Sequence, residues 1–422
     1  MRSSKDKVIA RIYQYGFLLF PIVGVTVKDA GSAIFTLFAL IGLVYGWKGW
    51  VNLDSQEKTV LIGFVVFVAT AALSLVATDD WHTAAHRIDR LLRFLLVIPV
   101  YLVIRRFDIR ILRYYVAGVV VSGVVLGLVV IYKIFVLKTG STEGPYNSAF
   151  IGNYAVIVSA FIVVLFLSGK PGSRTGILLS VSLIASIVTM VLSGSRTSWI
   201  AFVAIVVVAL LFELRRKRAL VMTSFVILLA ATVSLYHYPV VHQKIGVAMS
   251  DFETYKKDPG KSSSVNDRLS IWRNMITLFR SSPLVGAGLG DYAFESNKLI
   301  REGKSLTTHI HNSAHSIYFE SLGMSGIIGF VGMLLGLFIM PFRSFYQIKV
   351  QSTSVTPRIF SQFGILTVFS FAIFGLSGTW YAFNAIVNLY IVSMLACLAC
   401  CRGTGENLDD VFKFEKSRAQ HP

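Results

Sequence analysis

Residues 315–340 read HSIYFESLGMSGIIGFVGMLLGLFIM. After its polar start this run carries a single charge, Glu320. It is long enough to cross the hydrocarbon core of a bilayer as a helix, which takes roughly 20 apolar residues. The apolar residues run on without the alternation of a barrel strand, so a closed barrel is excluded. The stretch therefore reads as a membrane-spanning helix with His315 and Ser316 at its mouth. An ionisable residue at a membrane boundary is a functional candidate, because burying it there is costly.

Working outward, the same pattern repeats. The chain of 422 residues is 55% hydrophobic and only 15% charged, too little charge for a soluble domain of that size. Its mean hydropathy is +0.67. About twelve segments have spanning length: 8–26, 30–47, 59–77, 90–104, 111–136, 148–168, 175–193, 197–213, 219–237, 316–341, 358–377 and 380–400. The expected fold is an all-α integral membrane protein of about twelve transmembrane helices, with one long loop between the ninth and tenth. The divisions are 1–237 for the first nine helices, 238–315 for the loop, 316–401 for the last three, and 402–422 for a polar tail.

Charge sets the orientation. Lys and Arg gather in alternate connections: Arg2 to Arg11, Lys48 and Lys58, Arg105 to Arg113, Lys170 and Arg174, Arg215-Arg216-Lys217-Arg218, and Arg343 to Arg358. By the positive-inside rule these face the cytoplasm, as does the tail, and the long loop faces outward. The net charge of +18 therefore meets anionic lipid headgroups rather than nucleic acid. The cysteines Cys397, Cys400 and Cys401 close the last apolar run, so no disulfide framework is available in the loop. No cleavable signal peptide is expected, since the first run lacks a small-residue cleavage site and more spans follow.

The long loop holds an amphipathic helix in which Arg268, Trp272, Met275 and Phe279 recur at helical spacing. Ser282-Pro283 ends it, and Gly286, Gly288 and Gly290 follow. These glycines are no dinucleotide fingerprint, because no strand–turn–helix unit surrounds them. A helix lying on the membrane surface is an equal reading of the amphipathic segment.

His315 has two readings: a general base on a rigid helix end, or a residue that merely caps its helix. Gly323, Gly326 and Gly329 give the following helix a small-residue face for close packing. His309, His311 and His315 invite a zinc reading, but a further ligand and supporting groups are needed and no nearby carboxylate is evident beyond Glu320, so no metal is expected. Glu320 either orients a histidine or sits buried and paired. Arg196, in Ser193-Gly194-Ser195-Arg196, stands on the side where the positive-inside rule disfavours it. It reads as an anion ligand or as a snorkelling anchor. His86, Arg87, Arg90 and Arg93 form another basic cluster, read as a solvated interfacial face because Asp79, Asp80 and Asp89 partly neutralise it. With no nucleotide-binding loop and no Asp-x-Asp pair, an outward-facing transferase would need an activated, lipid-carried donor, and no cofactor is expected.

Taken together these residues resemble the bacterial O-antigen ligase and polymerase superfamily of polytopic membrane glycosyltransferases. His315, Ser316, Gly326 and Gly329 match its pattern His-(Asn/Ser/Gln)-x9-Gly-x-x-Gly, whereas His311-Asn312 fails it because position 322 is leucine. Arg268, Trp272, Pro283, Gly286, Gly288 and Gly290 are similar to its loop pattern, and Arg196 to its arginine between the seventh and eighth spans. A single large loop looks like a ligase, where polymerases carry two. The resemblance implies metal-independent, inverting transfer of O-antigen from undecaprenyl pyrophosphate to a sugar hydroxyl of lipid A–core. It implies an inner-membrane enzyme with its active site facing the periplasm. His315, Arg196 and Arg268 would be catalytic. Arg196, Arg268, Arg90, Trp272 and Glu320 would bind substrate, and Ser316, Gly326 and Gly329 would be structural. The alternatives are a polymerase of the same superfamily, or a polyprenyl-glycan flippase, against which the nearly charge-free span interiors argue.

Overall fold

The computed structural model describes residues 4–47, 50, 53–139, 146–168, 172–213, 239–257, 264–290, 292–305 and 313–402. They form helices and no strands. Eight come first: α1 (Ser4–Thr26), α2 (Ala30–Tyr45), α3 (Ser55–Ala72), α4 (Trp81–Arg106), α5 (Leu112–Ile131), α6 (Ser148–Ser168), α7 (Ser173–Leu192) and α8 (Arg196–Glu213). The loop segment holds α9 (Pro239–Lys257), α10 (Ser264–Ser281) and α11 (Tyr292–Arg301). Next are α12 (Ile317–Met333), α13 (Met340–Gln351), α14 (Val355–Ser377) and α15 (Asn384–Cys401). A π turn, Leu334–Ile339, joins α12 to α13, so the two make one continuous segment.

Among the described residues nine helical segments are long and apolar enough to cross a bilayer, which makes this a multi-pass membrane protein. Three further expected spans differ. α2 is apolar but only 16 residues long. α4 is 26 residues long, well beyond the expected 90–104. The segment 219–237 lies outside the described residues, as do the basic run at 215–218 and the tail beyond 402.

Local chemistry explains where the helices start. Asp54 and Glu57 close a capping box on α3: Asp54 Oδ1 accepts from the Glu57 N–H at 2.9 Å, and Glu57 Oε2 from the Asp54 N–H at 2.8 Å. Asp80 caps α4 by accepting from the Thr83 N–H at 3.2 Å and the Thr83 hydroxyl at 2.5 Å. These bonds hold the Asp80 carboxyl below the usual carboxylate range.

α6, α14 and α15 are the most enclosed spans and pack at the bundle centre; α14 touches α6, α8 and α15. The bundle core is one continuous apolar cluster. A second, smaller cluster belongs to the loop segment: Ile271, Met275, Leu278, Tyr292, Leu299, Ala314 and Met324. It ties α10 to α12, and so fixes the loop helices on the mouth of the span that begins at Ile317.

The two ends of the bundle differ in chemistry. At one end Glu57 is fully buried, accepts from the Tyr101 hydroxyl at 2.5 Å and pairs with Arg105 at 2.9 Å. Asp54, one turn away, pairs with Arg402. This network joins α3, α4 and the end of α15. At the other end α4, α8, α12 and α15 begin, and Arg87, Glu320, Arg196 and His315 lie there.

Candidate functional site at the helix mouths

His315 precedes α12 with a φ of 50°, the left-handed region. For a residue with a Cβ this costs about 1–2 kcal/mol, so the surroundings must hold it there. They do so through its neighbours. Ala314 is fully buried, and both of its backbone polar groups are bonded by side chains. Its N–H donates to Glu320 Oε2 at 2.9 Å, and its carbonyl accepts from Trp272 Nε1 at 3.1 Å. His315 itself is half-buried. Ser316 takes the N-cap position without a side-chain cap bond, while its carbonyl accepts from the Glu320 N–H at 3.0 Å.

Glu320 is buried and its carboxylate is saturated. Oε2 also accepts from the Thr379 hydroxyl at 2.8 Å, and Oε1 lies 3.2 Å from Arg87 Nη2. The sequence reading placed Arg87 on a solvated interfacial face. The structure instead buries it to 8% exposure against Glu320, because the carboxylate of one span demands a cation from another. Arg87 Nη1 is buried without a hydrogen-bond partner among the described residues. One turn on, half-buried Arg90 feels the charges of Arg87, Asp89, Glu320 and Arg93. His86 is exposed, and Arg93 pairs with Asp89 at 3.4 Å.

Arg196 is the first residue of α8 and is exposed; Arg268 lies on α10 and is half-buried. Burial pushes the Arg268 guanidinium below its ordinary value, and the like charge of Arg196 pushes it further. Neither arginine pairs with a carboxylate among the described residues. The two form a pair of like charges, of the residue type that can bind an anion through two parallel hydrogen bonds. The pair is linked to His315 along two routes. Arg268 and Trp272 are four apart on one helix face, and Trp272 reaches Ala314. On the other side, the Thr197 and Ser377 hydroxyls are hydrogen-bonded, and Thr379, in the same turn as Ser377, reaches Glu320.

Trp272 is committed to the protein on one face: its ring stacks on Phe319 with centroids 4.7 Å apart. His309 and His311 lie outside the described residues. Among the described residues no three His, Cys, Asp or Glu side chains converge as a metal group would require.

The glycines of α12 carry more than packing. Gly326 has φ 61° and ψ −167°, a conformation open in practice to glycine alone, and it breaks the helix. In an unbroken helix the N–H groups of Ile327 and Ile328 would donate to Gly323 and Met324. Here they donate to Pro283 and Leu284, at 2.9 and 3.3 Å. The freed carbonyls of Gly323 and Met324 accept from Ala287 and Gly288, at 3.0 and 3.1 Å. The Pro283–Gly288 stretch is thus spliced into the helix by four backbone bonds. Gly286 is needed for the same reason, since a Cβ there would lie 2.4 Å from the Met324 backbone. Gly329 packs against Ser325 of its own helix, with Thr70 of α3 close by.

Fold and geometry together define a multi-pass helical membrane protein in which His315 and the buried Arg87–Glu320 pair lie where α4 and α12 begin. Residues 181–334 match the O-antigen ligase family model. That stretch runs from α7 to the π turn after α12, and so contains Arg196, Arg268, His315 and Gly326 but neither Arg87 nor Thr379. The match supports a membrane glycosyltransferase of the O-antigen ligase and polymerase type. The chain is also 24% identical over 373 residues to an uncharacterized protein of Haemophilus influenzae, covering 86% of this chain and 91% of the relative.

Proposed function

We propose that this protein is an O-antigen ligase. In this reading it moves O-antigen glycan from undecaprenyl pyrophosphate to a sugar hydroxyl of lipid A–core, on the periplasmic face of the inner membrane. The observation that carries it is the set of contacts that joins α8 and α10 to the turn at His315: Thr197–Ser377 and Thr379–Glu320 on one side, Trp272–Ala314 on the other, with Arg196 opening α8 and Arg268 one turn before Trp272. The pair stands at the end of the bundle where His315 opens a span.

The chemistry is a single displacement. His315 takes the proton of the acceptor hydroxyl as that oxygen attacks the anomeric carbon. A new C–O bond forms on one face of the sugar while the bond to the pyrophosphate oxygen breaks on the other, so the anomeric centre inverts. The electron pair leaves with the pyrophosphate, where Arg196 and Arg268 meet the growing charge. A charge-assisted hydrogen bond of this kind contributes about 1.5–3 kcal/mol. Pyrophosphate is a good leaving group, so no carboxylate nucleophile is needed, and Glu320 is not free to serve as one with both oxygens engaged. Arg90, half-buried beside Arg87, extends the cationic surface toward a further substrate phosphate.

The test is reconstitution of the purified chain with undecaprenyl-pyrophosphate-linked glycan and lipid A–core. Glycan on the core is the expected product, and His315→Ala at equal protein level should abolish it. Longer lipid-linked chains with an unmodified core would make the protein a polymerase instead. Full transfer by the His315→Ala variant would remove the general base.

A further inference from the structure

We infer that Glu320 is the positioning residue for His315, held in that role by Arg87 and Thr379. The inference rests on the reading of His315 as the base and deepens it. Glu320 grips the chain on both sides of the histidine. Before it, the carboxylate binds the Ala314 N–H at 2.9 Å; after it, the Glu320 N–H binds the Ser316 carbonyl at 3.0 Å. His315 is therefore suspended between two anchored residues, and its left-handed φ of 50° is what their fixed positions leave to it. A base that must meet an acceptor hydroxyl within hydrogen-bond reach gains from this, because misplacement by an ångström slows a transfer steeply.

The carboxylate divides its work by oxygen. Oε2 serves the clamp, taking the Ala314 N–H and the Thr379 hydroxyl, while Oε1 faces Arg87. Arg87 orients the carboxylate and balances its charge in a site where both side chains are almost fully buried. Trp272 completes the clamp by holding the Ala314 carbonyl from the loop helix. α10 thus reaches Ala314 directly, while α4 and the turn between α14 and α15 reach it through the Glu320 carboxylate. With all its bonds made inside the protein, Glu320 acts through His315 rather than on substrate.

The oxygen assignment gives a discriminating set of variants. Glu320→Gln keeps one carbonyl oxygen for Ala314 and Thr379 but turns an amide NH2 toward Arg87. Glu320→Ala removes the carboxylate's bonds to Ala314, Thr379 and Arg87 and keeps the backbone bond to Ser316. Trp272→Phe keeps the stack on Phe319 and loses only the donor to Ala314. In the reconstituted transfer assay with undecaprenyl-pyrophosphate-linked glycan and lipid A–core, Glu320→Ala should lower kcat 10- to 100-fold. Its KM for the lipid-linked donor should stay within about twofold. Glu320→Gln should recover about tenfold of the lost kcat, and Trp272→Phe should lose kcat in the same sense as Glu320→Ala. A folded Glu320→Ala protein with the wild-type kcat would overturn the inference, and so would a loss confined to KM. If Glu320→Ala does not fold, Trp272→Phe and Thr379→Val decide: wild-type kcat in both overturns it. His315→Ala in the same assay separates the two levels. An active His315→Ala variant removes the base itself; an inactive one beside a fully active Glu320→Ala removes only the role of Glu320.

Discussion

Replacing Gly326 with alanine puts the splice between loop and helix to a direct test. The glycine sits at φ 61° and ψ −167°, and an added Cβ would lie 2.3 Å from the Leu284 carbonyl oxygen. Holding alanine in that backbone conformation costs about 1–3 kcal/mol. The chain can escape by closing α12 into a continuous helix. Ile327 and Ile328 then donate to Gly323 and Met324, and the loop loses all its partners. Four backbone bonds become two, a net loss of two at about 0.5–1.5 kcal/mol each. That bond loss is the same for glycine and alanine and cancels between them; the strain in the spliced state, plus the roughly 1 kcal/mol by which alanine favours a continuous helix over glycine, weakens the docked loop by about 2–4 kcal/mol. At 1.4 kcal/mol per decade, that is roughly 30- to 700-fold in the opening equilibrium. Amide hydrogen exchange on the protein in nanodiscs reads it. Ala287 and Gly288 should lose protection by that factor, while Ile327 and Ile328, rescued by the continuous helix, should keep theirs. Glycan transfer should fall as well, because Trp272 leaves Ala314 when the loop undocks. Wild-type protection at Ala287 and Gly288 in the Gly326→Ala protein would refute the reasoning. Equal loss at all four amides would show that the helix does not close.

Other expectations follow from the two ends of the bundle. Arg196→Ala and Arg268→Ala should each slow transfer about 10- to 150-fold if each contributes one charge-assisted bond to the leaving group. The lysine variants should recover only part, since the fork of the guanidinium is lost; normal rates in both lysine variants would rule out bidentate binding. Glu57→Ala, at the opposite end, leaves the buried Tyr101 hydroxyl and the partly exposed Arg105 without their shared acceptor. It should destabilise the protein by about 2–4 kcal/mol, seen as a lower Tm in detergent, with the transfer rate of the folded fraction unchanged.

The spans were legible where the signal is local. The helix-length apolar runs around Ser148–Ser168 and Ser173–Leu192 need no distant partner to be recognised. The first half of α4 was not. Its charges, His82, His86, Arg87 and Asp89, cut the apolar run, and the span was read as starting at 90. What buries Arg87 is Glu320, more than two hundred residues away, a pairing no window along the chain contains. Arg196 stands out in the sequence because the expected orientation puts it where the positive-inside rule disfavours arginine, and Arg268 because it opens the amphipathic repeat of its helix. Thr379 carries no local signal; only the fold brings its hydroxyl to Glu320. The glycines of α12 were seen but taken for a packing face. Spacing alone cannot separate a packing glycine from one that breaks a helix, and here the difference lies in the Pro283–Gly288 stretch.

That splice also fixes how the molecule can move. The residues from Ile317 to Ser325 belong in sequence to a spanning helix, but their last carbonyls are bonded to the loop segment. The loop segment therefore holds this short rod from one side, while the remainder of the helix, beyond Gly326, is seated against α3. The same rod is tied to the bundle by Arg87 and Thr379 through Glu320 and by the Tyr318 hydroxyl on the Ala372 carbonyl, so His315 stands at a joint that feels the loop and the bundle at once.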